Sequence, residues 1–167
     1  FIKKEIWLSF DQLFKGGDNG EYLFRYVNDH AVDGVDMYYI INRDCEDSRR
    51  LRKTYKNVLA YNSFKLRLLS LHAAYVFATR VDVKQYCGFS NAIEEYFRDI
   101  LNYRVLCLQH GLSIQQIAEY QNRIFDNTLY YFCVSEYEIK NISHPVYGYS
   151  KERLLLTGAP RYDGLIS

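Results

Sequence analysis

Apolar residues in this chain gather in short runs of two kinds. β-Branched and aromatic runs recur at Ile6–Phe10, Asp36–Ile41, Asn57–Tyr61, Ala74–Thr79, Arg104–Leu108, Leu129–Val134 and Arg153–Thr157, and each reads as a strand. Helical spacing fills most of the intervals. Asp18 is a good N-cap for a helix from about Gly20 to Ala31, in which Tyr22, Leu23, Tyr26, Val27 and His30 form one stripe. Further helices are predicted over Asp44–Tyr55, over Phe64–His72 behind a Ser63 cap, over Ala92–Leu101 and from near Ser135. Residues 80–91 have no clear period and read as a loop.

Near-continuous apolar strands separated by helices predict a parallel sheet covered on both faces. Right-handed crossovers then make it a doubly wound, Rossmann-like α/β sheet of about six to seven strands. The chain has no internal repeat or low-complexity tract, and its two prolines, Pro145 and Pro160, mark no linker. One domain over residues 1–167 is expected. In such a sheet ligands bind beyond the carboxyl ends of the strands. The loops that matter begin near Phe10, Thr79, Leu108, Val134 and Thr157.

Composition narrows the function. No apolar run approaches the 18 residues of a membrane span. Net charge is +1, from 21 basic and 20 acidic residues, so no global field recruits nucleic acid. The N-terminus, Phe1-Ile2-Lys3-Lys4-Glu5, lacks an initiator Met and the layout of a signal peptide, and reads as a cut from something longer. Cysteines 45, 87, 107 and 133 show no C-x-x-C spacing, and Cys107 and Cys133 lie in apolar runs as small buried hydrophobes; the reduced cytoplasm fits. There are 17 tyrosines and 10 phenylalanines. Rings in this number can form sugar-binding surfaces, but most are expected to pack.

The sharpest candidate is Gln109-His110-Gly111. His110 leaves the end of a buried strand, and Gly111 lets the backbone bend or approach a ligand. Imidazole titrates near neutrality, so a histidine placed there can take a proton from a substrate hydroxyl; the alternative is a structural strand cap. His30 and His72 fall at helix C-termini and His144 in a turn, where structural roles suffice. No H-x-x-x-H pairing occurs, so no metal is expected, and no cofactor is implied.

Gly16-Gly17-Asp18-Asn19-Gly20 is neither G-x-G-x-x-G nor a P-loop, and an acidic cap opposes a phosphate. It reads as a turn and cap, with Asp18 and Asn19 as candidate substrate contacts. Ser135 and Glu138 have capping-box spacing, while Ser135 and Glu136 open a helix whose amides can hold a phosphate. Arg161 can clamp a phosphate with Asp163 orienting it, or form an internal Arg–Asp pair. Arg49, Arg50, Arg52, Lys53 and Lys56 read as a solvated helix face, with a membrane surface as the second reading.

Taken in order, Asp18-Asn19-Gly20-Glu21-Tyr22-Leu23-Phe24, Gln109-His110-Gly111, Ser135-Glu136-Tyr137-Glu138, Gly148-Tyr149-Ser150 and Leu156-Thr157-Gly158-Ala159-Pro160-Arg161-Tyr162-Asp163 carry a resemblance. Across nearly the whole chain the sequence resembles the CDP-glycerol:poly(glycerophosphate) glycerophosphotransferases, which build teichoic acids and capsular polymers in bacteria. The resemblance implies one lobe of a two-lobed GT-B architecture, the acceptor-side lobe, with His110 in the role of catalytic base. Gly111, Asp18, Asn19, Ser135, Glu136, Arg161 and Asp163 would line its substrate side. The partners it implies are a CDP-glycerol donor, held mainly by the second lobe, and a polyol-phosphate or lipid-linked polymer acceptor, at the inner face of the cell membrane. Many members continue the His-Gly pair with Thr-Pro-Leu-Lys. Here Leu112-Ser113-Ile114-Gln115 follows, so a basic phosphate contact is missing. A nucleotide-sugar transferase of the same architecture and a non-catalytic binding module for a polymer or partner are the competing readings. An α/β-hydrolase fails, because no G-x-S-x-G elbow occurs.

Overall fold

The computed structural model describes residues 4–79, 86, 88–89, 96, 99–111, 122–123 and 128–165. Seven strands form one sheet: β1 (Glu5–Phe10), β2 (Val35–Ile41), β3 (Val58–Ala60), β4 (Ala73–Ala78), β5 (Arg104–Cys107), β6 (Thr128–Cys133) and β7 (Leu154–Leu156). Their order is β3-β2-β1-β4-β5-β6-β7 and every neighbouring pair is parallel. The order reverses between β1 and β4, so the Rossmann-like expectation holds. The switch point lies at the ends of Phe10 and Ala78, which are paired in register.

Four α-helices belong to the described residues: α1 (Asn19–Asp29), α2 (Glu46–Arg52), α3 (Phe64–His72) and α4 (Glu136–Ile142). The predicted caps form. Asp18 accepts from the Asn19 amide, Ser63 from Leu66 and Ser135 from Glu138. α2 is shorter than its charged pattern predicted. Tyr55 leaves the helix, packs edge-on against Phe24 at 5.1 Å, and its hydroxyl donates to Asp29. Of the predicted helix over Ala92–Leu101, Tyr96 is helical and Asp99–Leu101 are not, and the rest of it, with most of the predicted loop over 80–91, lies outside the described residues.

Of the stripe Tyr22, Leu23, Tyr26, Val27 and His30, Val27 is buried and Leu23 packs partly buried beside it; the buried residues of α1 are Asn19, Gly20, Glu21, Phe24 and Val27. Gly20 sets this rotation. A Cβ there would lie 2.6 Å from Asp11 Oδ1 and 2.7 Å from the Phe10 carbonyl, so only glycine lets the first turn of α1 touch the end of β1. Ser9 completes the seam by donating to the Gly20 carbonyl at 2.8 Å.

The sheet separates distinct apolar clusters. On one side Ile6, Leu8, Phe10 and Val76 pack with Leu66 of α3 and with Tyr86, whose ring stacks on Phe10 at 3.8 Å. On the other, Phe24 and Val27 of α1 meet Met37, Tyr39, Phe77 and Leu108. A third cluster joins Cys107, Tyr131 and Cys133 to Ile142, Tyr147 and Tyr149. Each fully buried ring such as Phe10 or Phe24 contributes on the order of 2–3 kcal/mol. Cys107 and Cys133 are buried, as their apolar settings predicted. Burial, then the nearby Glu138 carboxylate, pushes the Cys133 thiol up to about 12.

Candidate functional site

At the carboxyl end of the sheet, segments leaving β1, β5 and β7 meet. Asp11, the first residue beyond β1, is 1% exposed and accepts four hydrogen bonds. They come from the amides of Gly20 (2.7 Å), Glu21 (3.1 Å) and Asp18 (3.2 Å) and from the Tyr39 hydroxyl (2.8 Å). Burial raises its carboxyl to about 6, the Asp18 charge adds to this, and the Tyr39, Gly20 and Glu21 donors hold the rise in check. Tyr39 in turn is pushed well above its ordinary range by burial and by Asp11.

The remaining amides of the glycine-rich loop also go to carboxylates of this chain. Gly16 donates to Asp47 at 3.0 Å and Gly17 to Glu21 at 2.9 Å. Glu21 is buried and receives a two-pronged bond from Arg50, at 2.9 and 2.7 Å. The helix terminus that would cradle a phosphate in a dinucleotide fold is therefore filled by the chain's own acidic groups. Arg50 is exposed like Arg49, Arg52, Lys53 and Lys56 of the predicted solvated face, but its guanidinium is tied to Glu21 and Asp47.

Asn19 binds the three segments together. Its side-chain amide donates to the carbonyls of Leu108 and Gln109, and its oxygen accepts from the Arg161 backbone at 3.1 Å. Read from sequence as a substrate contact, Asn19 is 1% exposed and acts here as a tie between loops. Arg161 donates to Asp18 Oδ1 at 3.0 Å, so the internal Arg–Asp pair exists, with Asp18 in place of Asp163.

Gln109 adopts φ +57°, a left-handed conformation that costs a non-glycine residue energy and turns the chain sharply out of β5. Its side chain holds the turn. The amide donates to the Tyr131 hydroxyl, and the side-chain oxygen accepts from the His110 backbone at 2.9 Å. His110 follows, exposed, on this anchored turn. A Cβ on Gly111 would stand 4.0 Å from Arg161 Nη2, which places His110, Gly111, Asp18 and Arg161 in one neighbourhood.

The other candidates lie elsewhere. Ser135 caps α4 at 3.2 Å and Glu138 accepts from Val134 at 2.8 Å, so both serve that helix start, while Glu136 is exposed on its first turn. Asp163 is exposed on the wall of a separate cleft of about 660 Å³ between α1 and Thr157–Gly164. Leu108 and Pro160 place that cleft next to the His110 loop. Asp11 and Gln109 were given no role by the sequence reading. The available signal was an acid immediately after a buried strand and a polar residue at the end of another. Among the described residues no group of histidine, cysteine and carboxylate side chains is arranged to hold a metal. No helix among them is long and apolar enough to cross a membrane.

A parallel sheet reversed at β1 and β4 is a Rossmann-like arrangement, and the exposed histidine on the loop after β5 marks a candidate site at its carboxyl edge. The chain belongs to the CDP-glycerol:poly(glycerophosphate) glycerophosphotransferase family, whose model matches residues 1–167. It is 37% identical over 165 residues to the minor teichoic acid biosynthesis protein GgaB of Bacillus subtilis (strain 168). The match covers 99% of this chain and 18% of that relative, so the chain spans less than a fifth of the relative's length.

Proposed function

We propose that this chain is the acceptor-side lobe of a CDP-glycerol glycerophosphotransferase that extends a teichoic-acid or capsular polymer. The observation that carries the reading is His110, held in the open by a strained, pinned Gln109 turn beside Arg161 and Gly111. A polar ring kept exposed by a buried scaffold is suited to meet a substrate.

In the proposed reaction the acceptor's terminal hydroxyl attacks the glycerol-bearing phosphorus of CDP-glycerol. A new P–O bond forms as the bond to the CMP phosphate breaks, and CMP leaves. His110 takes the hydroxyl proton, which contributes roughly two to four orders of magnitude in rate. Alignment and charge stabilisation of the in-line transition state supply much of the rest. The donor's phosphates need cationic or amide partners. Here the amides of the glycine-rich loop and of the first turn of α1 are engaged by Asp11, Asp18, Glu21 and Asp47, and Arg161 is paired with Asp18. That supports a donor held chiefly by a second lobe, and a 167-residue chain that by itself turns over little. Gly111, Arg161 and Asp163 remain the proposed acceptor contacts. The proposed location is the cytoplasmic face of the membrane.

The test compares CMP release from CDP-glycerol, with a glycerophosphate-primed acceptor, in the full-length parent and its His110→Ala variant. Release that drops by at least about a hundredfold in the variant supports the transferase and its base. A parent that releases no CMP above background overturns the named reaction. An active parent indifferent to His110→Ala overturns the role of the histidine.

A further inference from the structure

The stripe of α1 that does not pack on the sheet faces the cleft between α1 and Thr157–Gly164. Tyr22, Tyr26 and His30 stand on one side, with Phe77 and Phe132 on the sheet behind them. Tyr26 is 56% exposed, and the His30 ring stacks on one of its faces at 4.2 Å, leaving the other face to a ligand. The volume, about 660 Å³, lies within the range of small-molecule sites. Leu108, two residues before His110, and Pro160, adjacent to Arg161, are among its lining residues.

The charged groups around the cleft decide what enters it. They are Asp29 and Asp163 against Arg25, with His30 beside them, and Arg25 lies over the Tyr22 ring at 5.7 Å. Two carboxylates facing one guanidinium disfavour a phosphate dianion. They suit hydroxyl donors, which carboxylates accept strongly. Flat aromatic faces, in turn, suit a ligand with an apolar C–H face and a polar edge.

We infer that this cleft binds a neutral pyranose ring, stacked on Tyr26 with its hydroxyls towards Asp29 and Asp163, so that the proposed acceptor carries a sugar next to the hydroxyl that reacts. The inference rests on the acceptor-side reading of the lobe and adds the substrate class. A sugar held there places the adjoining unit of a polymer at His110.

The chain carries its own reporter. Its single tryptophan, Trp7, contacts Phe77 at a ring distance of 5.2 Å, one ring behind the cleft wall. The 167-residue chain is titrated with methyl hexopyranosides, with glycerol and with glycerol 3-phosphate while tryptophan emission is followed. Saturable change with at least one pyranoside, with a dissociation constant on the order of 1 mM, and none with glycerol or glycerol 3-phosphate is the expected result. Tyr26→Ala should weaken it roughly tenfold, and Tyr26→Phe should restore most of it. Because Tyr26 is largely exposed, its replacement does not disturb the core. Saturation by glycerol 3-phosphate alone, no saturation by any probe, or pyranoside binding indifferent to Tyr26→Ala each overturns the inference. CMP release by the parent is scored separately, so a failed sugar site and a failed transferase give different results.

Discussion

Arg161 donates to Asp18 across 143 positions of sequence, at 3.0 Å, and so joins the segment after β7 to the N-cap of α1. The pair is partly exposed, with side chains 32% and 22% accessible, which limits its worth in folding. Its value is geometric. It fixes Arg161 beside Gly111 while neutralising the guanidinium, so any phosphate brought there would have to compete with Asp18 for it.

Asp18 combines two duties that substitutions can separate. Asp18→Asn keeps a side-chain oxygen for the cap and removes only the charge, so urea unfolding should report a loss below about 1 kcal/mol. Asp18→Ala removes the cap as well and should cost roughly 1–2 kcal/mol. Equal losses in the two variants would mean that the cap contributes nothing.

Gly20 and Gly111 offer a matched contrast. At Gly20 an added methyl meets a carboxylate oxygen and a backbone carbonyl, neither able to retreat, because Asp11 is pinned and Phe10 lies in the sheet. Gly20→Ala should destabilise by about 1–3 kcal/mol. Gly111→Ala meets nothing among the described residues closer than Arg161 Nη2 at 4.0 Å and should stay within about 0.5 kcal/mol of the wild type. Thermal unfolding monitored by circular dichroism separates them, and a neutral Gly20→Ala would refute the close seam between α1 and β1.

Arg50 differs from its basic neighbours. It covers Glu21, which is 2% exposed, whereas Arg49 is exposed and donates to the Asp44 carbonyl. Removing one partner of a buried pair leaves a charge uncompensated, but the Arg50 head is itself half exposed, so solvent softens the loss. Arg50→Ala should cost about 1–3 kcal/mol and Arg49→Ala almost nothing, by urea titration. Equal effects would return Arg50 to the solvated face that the sequence suggested.

These contacts show where a sequence reading stops. The strands were legible because runs such as Val105-Leu106-Cys107-Leu108 are apolar without a break, as buried parallel strands must be. Caps at Asp18, Ser63 and Ser135 were legible because capping is local chemistry. The sheathed face of α1 was not. Its rotation is decided by Gly20 against Asp11 and Phe10, a contact that hydrophobic periodicity cannot register. The choice of Arg161 between a neighbouring Asp163 and a distant Asp18 likewise depends on how β1 and β7 are placed. The His-Gly motif was visible as a motif. The left-handed Gln109 turn that displays it depends on Tyr131 and Asn19, which tertiary structure alone brings near.

Asp11 gives the fold a testable pH dependence. Its carboxyl is held near 6 in the folded chain against an ordinary 3.8, chiefly by burial. Between about pH 4 and pH 6 the folded chain therefore keeps a proton that the unfolded chain has released. Stability contributed by this group is full below the unfolded value and declines as pH rises through the folded one. A rise of about two units corresponds to at most roughly 3 kcal/mol. Asp47 acts in the opposite sense, since the Gly16 amide and Arg50 lower its carboxyl, but its loss begins only near or below its ordinary 3.8. Urea unfolding should thus show greater stability near pH 5 than near pH 7. Asp11→Asn should remove that slope and, by turning an amide towards donors, cost about 1–3 kcal/mol of its own. If wild-type stability is flat or rises over this interval, Asp11 is fully ionised in the folded chain. Its four donors then outweigh its burial, and the loop that positions Asn19 and Asp18 is held by a permanent charge.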